Sequence, residues 1–299
     1  MPSENIQWFP GHMAKTRRMI SDNLKNVDIV IEILDARIPY SSRNPEIARL
    51  TAGKPTLLLL NKASLADAEQ NRRWQKQYTE GDTYCLLTDC ITGEGLNKLA
   101  PTIREILADK LKRYEEKGMI GRRVRAMVLG IPNVGKSSLI NRICGNKKAK
   151  VENRPGVTLD KQWVSTNIGV DLLDMPGILW PKFEEKRVGE NLALTGAIRD
   201  GILDIESLAT VLCKRLRLLY PQMLAERYKL GELSQYADLS DYDLFLTIGK
   251  KRGFLISGGE VNTERTAIML LDEFRSCKIG RITIDRYSKE ELFSAGISN

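Results

Sequence analysis

The sequence predicts an α/β protein in which a mostly parallel sheet with flanking helices is followed by a smaller, mainly helical domain. Through about residue 178, short apolar runs rich in β-branched residues alternate with segments of helical periodicity, the pattern of βαβ units. Beyond about residue 190 the strand signals fade and helical periodicity dominates. A chain of 299 residues with 42% hydrophobic content fits two domains. We therefore divide it into residues 1–178 and 179–299.

Each predicted element follows from its local pattern. "DIVIEILDA" alternates like a strand, whereas the continuous apolar run "KPTLLLL" predicts a strand covered on both faces. The predicted strands are 28–36, 54–60, 83–88, 123–130, two within 161–174, and a short terminal one at 280–285. The predicted helices are a basic amphipathic one at 13–26, then 66–80, 94–117, 136–144, 204–219, 240–251 and 262–277. "DLSDYD" offers N-cap residues for the helix at 240–251.

Composition restricts the function class. Five scattered cysteines without C-x-x-C spacing and a single histidine argue against a disulfide framework, a zinc site and a histidine-rich metal centre. The sequence shows neither a long apolar span nor a secretion-signal layout, so we expect a cytoplasmic protein without membrane contact. The net charge is +8, and its surplus lies in residues 1–178, with 28 basic against 20 acidic side chains. This asymmetry favours a polyanionic partner.

A glycine-rich stretch predicts a phosphate site. "GIPNVGKS", from Gly130 to Ser137, matches G-x-x-x-x-G-K-[ST] between a predicted strand and a predicted helix. Gly130 and Gly135 allow backbone amides to surround phosphates, Lys136 reaches their oxygens and Ser137 ligates magnesium. The expected nucleotide contacts in this loop are Asn133, Val134, Gly135, Lys136, Ser137 and Ser138.

Two downstream motifs extend this prediction. "LLDMPG" places Asp174 at the end of an apolar strand, where it can hold magnesium, and Gly177 where its amide can meet a γ-phosphate. Thr158 of "RPGVT" is a second candidate magnesium ligand that senses the γ-phosphate. Each motif is weak alone, but their order behind the phosphate loop predicts a magnesium-dependent nucleoside triphosphatase.

The candidate base loop lies in an unusual place. Residues 175–299 contain no [NT]-K-x-D motif, and the nearest match is "NKAS", Asn61 to Ser64, upstream of Gly130. Ligand loops of a parallel sheet all emerge at the carboxyl ends of its strands. A chain that enters the sheet at a different strand therefore presents the same loops in another order. We predict a P-loop NTPase fold with circularly permuted motif order, in which Asn61 and Lys62 frame the base.

This order and several sequence motifs resemble the circularly permuted GTPases and, more narrowly, the ribosome biogenesis GTPase A family. The matching motifs are "WFPGHMAK" (8–15), "DARIPYSSRNP" (35–45), "NKAS" (61–64), "GIPNVGKSSLIN" (130–141), "RPGVT" (154–158), "DMPGILWPKFE" (174–184), "LTGAI" (194–198) and "IGKKRG" (248–253). The resemblance implies a GTPase that binds GTP and GDP, acts late in assembly of the large ribosomal subunit and binds its ribosomal RNA. It also implies hydrolysis stimulated by the ribosomal particle and a monomer away from the ribosome.

Ser64 departs from the family, whose members carry aspartate there to accept hydrogen bonds from the guanine ring N–H and exocyclic amine. Serine replaces at most one such bond, without charge, and charge-assisted hydrogen bonds contribute roughly 1.5–3 kcal/mol each. We therefore expect weaker guanine affinity and poorer rejection of adenine. Asp67 and Asp89 are candidate substitutes that the sequence does not place. The second base loop, "TDC" at 88–90, matches its expected Ser-Ala-type turn loosely.

The residue after the D-x-x-G motif also departs from classical GTPases, because Ile178 stands where a glutamine orients the attacking water. The resemblance offers His12, from the "PGHM" motif, as the replacement. The alternative is a potassium ion held partly by Asn133, which compensates γ-phosphate charge. Together with Lys136 and Gly177 at the phosphates, His12 forms the expected catalytic set.

Basic arrays are candidate RNA contacts, since lysine and arginine neutralise phosphates. They are "KTRR" (15–18), "GRRVR" (121–125), "NKKAK" (146–150) and "GKKRG" (249–253). Trp8, Phe9 and Trp180 are candidates either for stacking or for core packing. Two rival functions remain open: a nucleotide-gated RNA-binding chaperone with little hydrolysis, favoured by Ile178, and a P-loop enzyme of relaxed specificity, favoured by Ser64.

Overall fold

In the computed structural model, the described residues are 10–79, 83–145, 162–180 and 183–286, with the side chains of 10–13 and 233 excepted. A six-stranded sheet forms the centre. Its strands are β1 (Ile29–Asp35), β2 (Thr56–Asn61), β3 (Tyr84–Leu87), β4 (Val124–Gly130), β5 (Gln162–Ser165) and β6 (Val170–Asp174). The strand order is β3-β2-β1-β4-β6-β5, and all neighbours are parallel except the β5–β6 pair.

Eleven α-helices lie within the described ranges. They are α1 (Pro10–Leu24), α2 (Pro45–Leu50), α3 (Ala68–Tyr78), α4 (Leu99–Ile106), α5 (Ala108–Glu116), α6 (Lys136–Cys144), α7 (Lys186–Leu194), α8 (Ile205–Leu219), α9 (Pro221–Tyr228), α10 (Asp241–Lys251) and α11 (Thr263–Arg275). In the part of the chain that the structure describes, every helix falls short of the length and apolarity that a bilayer crossing requires.

The register of the sheet brings the ends of its parallel strands to one edge. Asp35 pairs with Asn61 across β1 and β2, and Ile33 pairs with Gly130 across β1 and β4. Asp174, the last residue of β6, pairs with Val128 of β4. Since these strands are parallel, the loops that follow them share that edge, as the permuted motif order requires.

Polar side chains define several helix starts. Asp67 caps α3 by accepting hydrogen bonds from the amides of Glu69 and Gln70. Ser240 likewise caps α10 by accepting from the Asp243 amide, which confirms the N-cap predicted in "DLSDYD". Such caps satisfy amides that have no partner within the helix.

Apolar packing covers both faces of the sheet. All residues of β1 are buried, and β2 is buried from its second residue onward. One face packs against α6 and the helical region, in a core that runs from Ile31 and Val128 to Leu212 and Phe245. The other face packs in two smaller clusters, one with Ile20 of α1 and one with residues of α3. Each fully buried Leu or Ile contributes about 1.5–3 kcal/mol.

Two sequence predictions of secondary structure are wrong. The predicted helix 94–117 is two helices, α4 and α5, because Leu107 leaves helical geometry with φ −102° and ψ 13°. The predicted strand at 280–285 is not a strand; it is an irregular segment whose amides donate to the Leu65 and Arg37 carbonyls rather than joining the sheet. Helices α2, α7 and α9 had no predicted counterpart.

That C-terminal segment contacts loops of the first part of the chain. The Ile282 amide donates to the Leu65 carbonyl (3.1 Å) and the Ile284 amide to the Arg37 carbonyl (2.9 Å). Asp285, fully buried, accepts from the Ser41 amide at 2.7 Å. The sequence-based division at 178/179 stays a prediction, and the segment around 282–285 packs across it.

Candidate functional site

The loop between β4 and α6 has the backbone shape that surrounds phosphates. Gly130 and Gly135 have φ of +151° and +103°, values that favour glycine. A Cβ at Gly130 would lie 2.5 Å from the Ile33 carbonyl oxygen, and one at Gly135 would lie 2.3 Å from Asn61 Nδ2. Both glycines are therefore required by steric fit as well as by backbone conformation.

Lys136 lies at the start of α6 with its ammonium group held against the loop. Its Nζ donates to the carbonyls of Gly130 (3.1 Å) and Ile131 (2.7 Å). Burial lowers the pKa of Lys136, although the nearby Asp174 carboxylate opposes this effect. The loop thus positions a buried cation at the carboxyl edge of the sheet.

The residues predicted to hold magnesium lie beside this cation. Asp174 ends β6, and burial raises its pKa against the opposing charge of Lys136. Its Oδ1 atom is buried and finds no hydrogen-bond partner among the described residues. Ser137 is half-buried in the first turn of α6. A buried, unpartnered carboxylate oxygen and a hydroxyl are oxygen donors of the kind that magnesium prefers. Thr158 lies outside the described residues.

Gly177 and Ile178, which follow β6, pack against the phosphate loop. A Cβ at Gly177 would lie 2.9 Å from Lys136 Nζ and 3.0 Å from the Pro132 nitrogen, so only glycine fits without displacement. The Ile178 amide donates to the Gly130 carbonyl (3.2 Å), and its side chain is buried in the core cluster that contains Ile20. Ile178 is therefore a packing residue.

The upstream base loop lies directly against the phosphate loop. Asn61 Nδ2 donates to the Val134 carbonyl (2.6 Å), and Asn61 Oδ1 accepts from the Cys90 amide (3.0 Å). Lys62 Nζ donates to the Asn133 carbonyl (2.6 Å). Two motifs separated by about 70 residues of sequence therefore form one continuous edge. A position of Asn61 far from the phosphate loop would have contradicted the predicted permutation. Instead, Asn61 contacts the loop that precedes Lys136.

Lys62 is held by a buried charge cluster that the sequence analysis did not identify. Asp35, at the end of β1, accepts from Lys62 Nζ (2.9 Å) and from Arg37 (2.7 Å). Burial raises the pKa of Asp35, but the charges of Arg37 and Lys62 outweigh burial and hold it well below its usual range. The position of Asp35 in the sequence could have indicated this cluster, because Asp35 lies near the end of the predicted strand 28–36. In the structure β1 lies next to β2, and Asp35 pairs with Asn61.

The two acidic candidates near Ser64 have different environments. The Ser64 hydroxyl donates to Oδ2 of Asp89, which follows β3. Asp67 instead caps α3, and its Oδ2 accepts from the Tyr220 hydroxyl (3.3 Å). Asp89 is therefore in contact with Ser64, whereas Asp67 caps the start of α3.

Asn133 connects the phosphate loop with the helical region. Its backbone has a φ of +60°, and its Nδ2 donates to the Gly196 carbonyl (2.6 Å) in the "LTGAI" turn after α7. Arg275 fixes the same segment by donating to the carbonyls of Leu194 and Ala193 (3.0 Å each). The side chain proposed for potassium therefore also contacts the second predicted domain.

The other predicted residues differ in what the structure describes. Val134 is buried and contributes its carbonyl to Asn61, and Ser138 is half-buried on α6. His12 is part of α1, but its side chain lies outside the described residues, as do Trp8 and Phe9. Of the three predicted aromatic contacts, only Trp180 is described, and it packs in the core.

The basic arrays also differ. In "GRRVR", Arg122 stacks on Tyr114 at 4.2 Å and Arg123 pairs with Asp171 at 2.7 Å. In "GKKRG", Arg252 pairs with Glu273, while both lysines are exposed. "NKKAK" lies outside the described residues. Intramolecular pairing therefore favours the exposed lysines of "GKKRG" over "GRRVR" as contacts for a polyanion.

Comparisons with known proteins agree with this geometry. The sequence profile described as "50S ribosome-binding GTPase" matches residues 125–218. Ribosome biogenesis GTPase A of Priestia megaterium is 46% identical to this chain, over 96% of this chain and 98% of its own length.

Two solved structures share the fold. A GDP-bound structure of TM YlqF superposes with a TM-score of 0.62 at 24% identity, covering 90% of this chain and 99% of its own. A GNP-bound structure of YlqF from T. maritima gives 0.59 at 26% identity, covering 92% and 99%. The predicted permuted P-loop fold and the predicted resemblance are both confirmed. The chain belongs to the ribosome biogenesis GTPase A family.

Proposed function

We propose that this chain binds and hydrolyses GTP as an assembly factor of the large ribosomal subunit. The observation that carries the proposal is the contact between the two ligand loops. Asn61 donates to the Val134 carbonyl at 2.6 Å, so the base loop and the phosphate loop form one edge on which a single nucleotide can lie. Family membership supports the same reaction.

The phosphate end of the nucleotide would contact the loop amides and Lys136. The Lys136 ammonium group lies on the loop carbonyls and can move to phosphate oxygens by rotating its flexible stem. Gly177 leaves room beside it, and its amide would meet the γ-phosphate. Lys136 and Gly177 thus stabilise charge that develops during phosphoryl transfer.

Ser137 and Asp174 are the residues that would hold magnesium, joined by Thr158. The described residues contain no cluster of three or more His, Cys, Asp and Glu side chains placed for a metal ion. This suits magnesium, which proteins bind through one or two side chains together with substrate phosphates. When bound, magnesium neutralises charge on the transferring phosphate.

The group that orients the attacking water must be a residue or ion other than Ile178. Its buried side chain cannot orient water, so we assign that role to His12 or to a potassium ion held through Asn133. Asn133 donates its Nδ2 to the Gly196 carbonyl, which directs its Oδ1 away from that contact. Equal turnover in sodium and potassium would exclude the second assignment, and intact stimulated turnover in His12→Ala would exclude the first.

The ribosomal partner is proposed from the relatives and from charge. The matching profile is described as a 50S ribosome-binding GTPase, and the relatives are named for ribosome biogenesis. Lys250 and Lys251 are exposed at the end of α10, next to the exposed apolar side chains of Leu255 and Ile256. We propose that this corner contacts ribosomal RNA. A cytoplasmic location and a monomeric state away from the ribosome remain part of this proposal.

Phosphate release from GTP, with and without purified large subunits, tests the function. We expect measurable release that rises when large subunits are added, and much slower release in Lys136→Ala. Co-sedimentation should be stronger with a non-hydrolysable GTP analogue than with GDP. Absence of both GTP turnover and nucleotide-dependent sedimentation would contradict the proposal.

A second candidate function is a nucleotide-gated RNA-binding chaperone with little hydrolysis. The burial of Ile178 favours it, because the described residues include no polar side chain at the usual water-orienting position. The same assay distinguishes the two functions. Nucleotide-dependent sedimentation without stimulated phosphate release would support the chaperone.

A further inference from the structure

The altered fourth position of the base loop has a carboxylate directly behind it. Ser64 lies in a 3-10 turn, Ala63–Leu65, that follows β2, and Asp89 lies in the loop after β3. The Ser64 hydroxyl donates its hydrogen to Oδ2 of Asp89. The single hydroxyl hydrogen is thereby used, and both oxygen lone pairs of Ser64 remain acceptors.

Asp89 is fixed in this position by its own loop. Its Oδ1 accepts from the amides of Ile91 (2.8 Å) and Thr92 (3.0 Å), and the residue as a whole is 3% exposed. Burial raises the pKa of Asp89, but hydrogen bonds from Ser64 and from these amides outweigh it and lower the pKa overall. Asp89 is therefore a preorganised anion.

Backbone contacts hold the two base loops in register. The Ala63 amide donates to the Thr88 carbonyl (3.1 Å), and the Thr88 amide donates to the Leu60 carbonyl (2.9 Å). The Cys90 amide donates to Asn61 Oδ1 (3.0 Å), which ties the Asp89 loop to the base-framing asparagine. The Asp89 carboxylate thus has a fixed place in the base site.

We propose that Ser64 and Asp89 act as one acceptor for the ring N–H and exocyclic amine of guanine, with Asp89 supplying the charge that position 64 lacks. This inference rests on the proposed GTP-binding function and assigns its specificity. The carboxylate polarises the Ser64 hydroxyl oxygen and has a further lone pair on Oδ2. Asp67 is not the substitute, because its carboxylate contacts the start of α3 through Oδ1 and the Tyr220 hydroxyl through Oδ2, whereas the Ser64 hydroxyl donates to Asp89.

The pair reverses the expectation that the sequence alone gives for Ser64→Asp. If position 64 acted alone, aspartate would restore guanine recognition. With Asp89 in hydrogen-bond contact, a second carboxylate would instead be opposed by like charge and lose its donor. Ser64→Asp should therefore weaken GDP binding, and adding Asp89→Asn should restore it.

Competition binding of GDP, IDP and ADP to the full chain, at one magnesium concentration, tests the pair. The variants are Asp89→Asn, Ser64→Asp, the double variant, and Asp67→Asn as the matched control. We expect Asp89→Asn to weaken GDP binding by about 10- to 100-fold while ADP binding stays within about threefold, since a charge-assisted bond is lost only for guanine. The affinity for IDP, which lacks the exocyclic amine, should fall less in Asp89→Asn than the affinity for GDP. Asp67→Asn should leave the GDP-to-ADP ratio unchanged.

The GDP-to-ADP ratio within one variant separates lost specificity from lost folding, because misfolding lowers both affinities. An unchanged ratio in Asp89→Asn, or a higher ratio in Ser64→Asp alone, would overturn the inference and leave the GTPase proposal intact. Failure of the unmodified chain to bind GDP would overturn the proposed function itself. Recovery of the ratio in the double variant to within about threefold of the parent supports the pair.

Discussion

The phosphate side and the base side of the site occupy the same sheet edge but are built differently. The phosphate side combines one contiguous loop, Gly130 to Ser137, with the D-x-x-G motif that begins at the end of β6. The base side uses side chains to join the loop after β2 with the loops after β3 and β4. Asn61 and Lys62 donate to the phosphate loop, and Ser64 donates to Asp89.

This difference explains where the chain follows its family and where it departs. Backbone amides and glycines offer few alternatives, because any Cβ at Gly130 or Gly135 would lie within 2.5 Å of a neighbouring atom. Side-chain recognition can be transferred between neighbouring loops, provided that the carboxylate stays at the same place in space. The base side can therefore vary in sequence while the phosphate side cannot.

The largest expected effect tests the phosphate side. Lys136→Ala removes the buried ammonium group that lies on the carbonyls of Gly130 and Ile131. We expect GTP turnover to fall by about 100- to 1,000-fold, since loss of one preorganised charge-stabilising donor has that cost. Steady-state phosphate release measures this, with exposed Lys112→Ala as the control. A fall of less than about tenfold would contradict the role of Lys136.

The next effect tests the charge cluster that supports the base side. Asp35→Asn leaves the buried charges of Arg37 and Lys62 without their partner. We expect the free energy of unfolding to fall by about 3 kcal/mol, the cost of breaking a buried ion pair. Urea denaturation measures it, and exposed Asp109→Asn on α5 should change stability by less than about 0.5 kcal/mol.

Asp35→Asn should also weaken GDP binding among molecules that remain folded, because Lys62 loses one of its two fixed partners. Normal GDP affinity in this variant would show that the Asn133 carbonyl alone positions Lys62. That outcome would separate stability from recognition on the base side.

A pH-dependent effect is expected in β1, between the two sides. Burial raises the pKa of Glu32 to about 7, although the Arg43 charge and the Asn44 amide oppose it. An unfolded glutamate titrates near 4.3, so the folded state binds more protons between these values and stability falls as pH rises through them. The contribution amounts to about 3–4 kcal/mol and is lost as pH rises through about 7.

Glu32→Gln removes that titration. Its gain in free energy of unfolding relative to the parent should be about 3–4 kcal/mol larger at pH 8 than at pH 4. Urea denaturation at both pH values measures the difference, and exposed Glu105→Gln on α4 is the control. Equal effects of Glu32→Gln at the two pH values would contradict a raised pKa.

The smallest expected effect is steric. Gly177→Ala places a methyl group 2.9 Å from Lys136 Nζ and 3.0 Å from the Pro132 nitrogen. The lysine can shift, at the cost of its place on the loop, so we expect about tenfold slower GTP turnover with little loss of stability. Gly201→Ala, which meets no atom within 4 Å, is the matched control. Unchanged turnover would show that the phosphate side tolerates side chains after all.

Several features were predictable because they depend on neighbours in sequence. The strand-loop-helix around Gly135 and Lys136, the strand ending at Asp174 and the N-cap at Ser240 all follow from local patterns. The break of the predicted helix at Leu107 was not predictable, since no glycine or proline marks it. The roles of all the predicted site residues, His12 and Thr158 among them, stay predictions.

The fold class, the permuted order of the ligand loops and the phosphate motif can be inferred from the amino-acid sequence, because they depend on periodicity and contiguous residues. The three-dimensional fold is needed to show which groups are in contact: Ser64 with Asp89 rather than Asp67, Lys62 with Asp35, and Asn133 with Gly196. These contacts join residues between 25 and 63 positions apart through side chains. Such pairs depend on the register between strands and on loop geometry. Neither can be read from one local segment of the sequence, because both involve residues far apart in the chain.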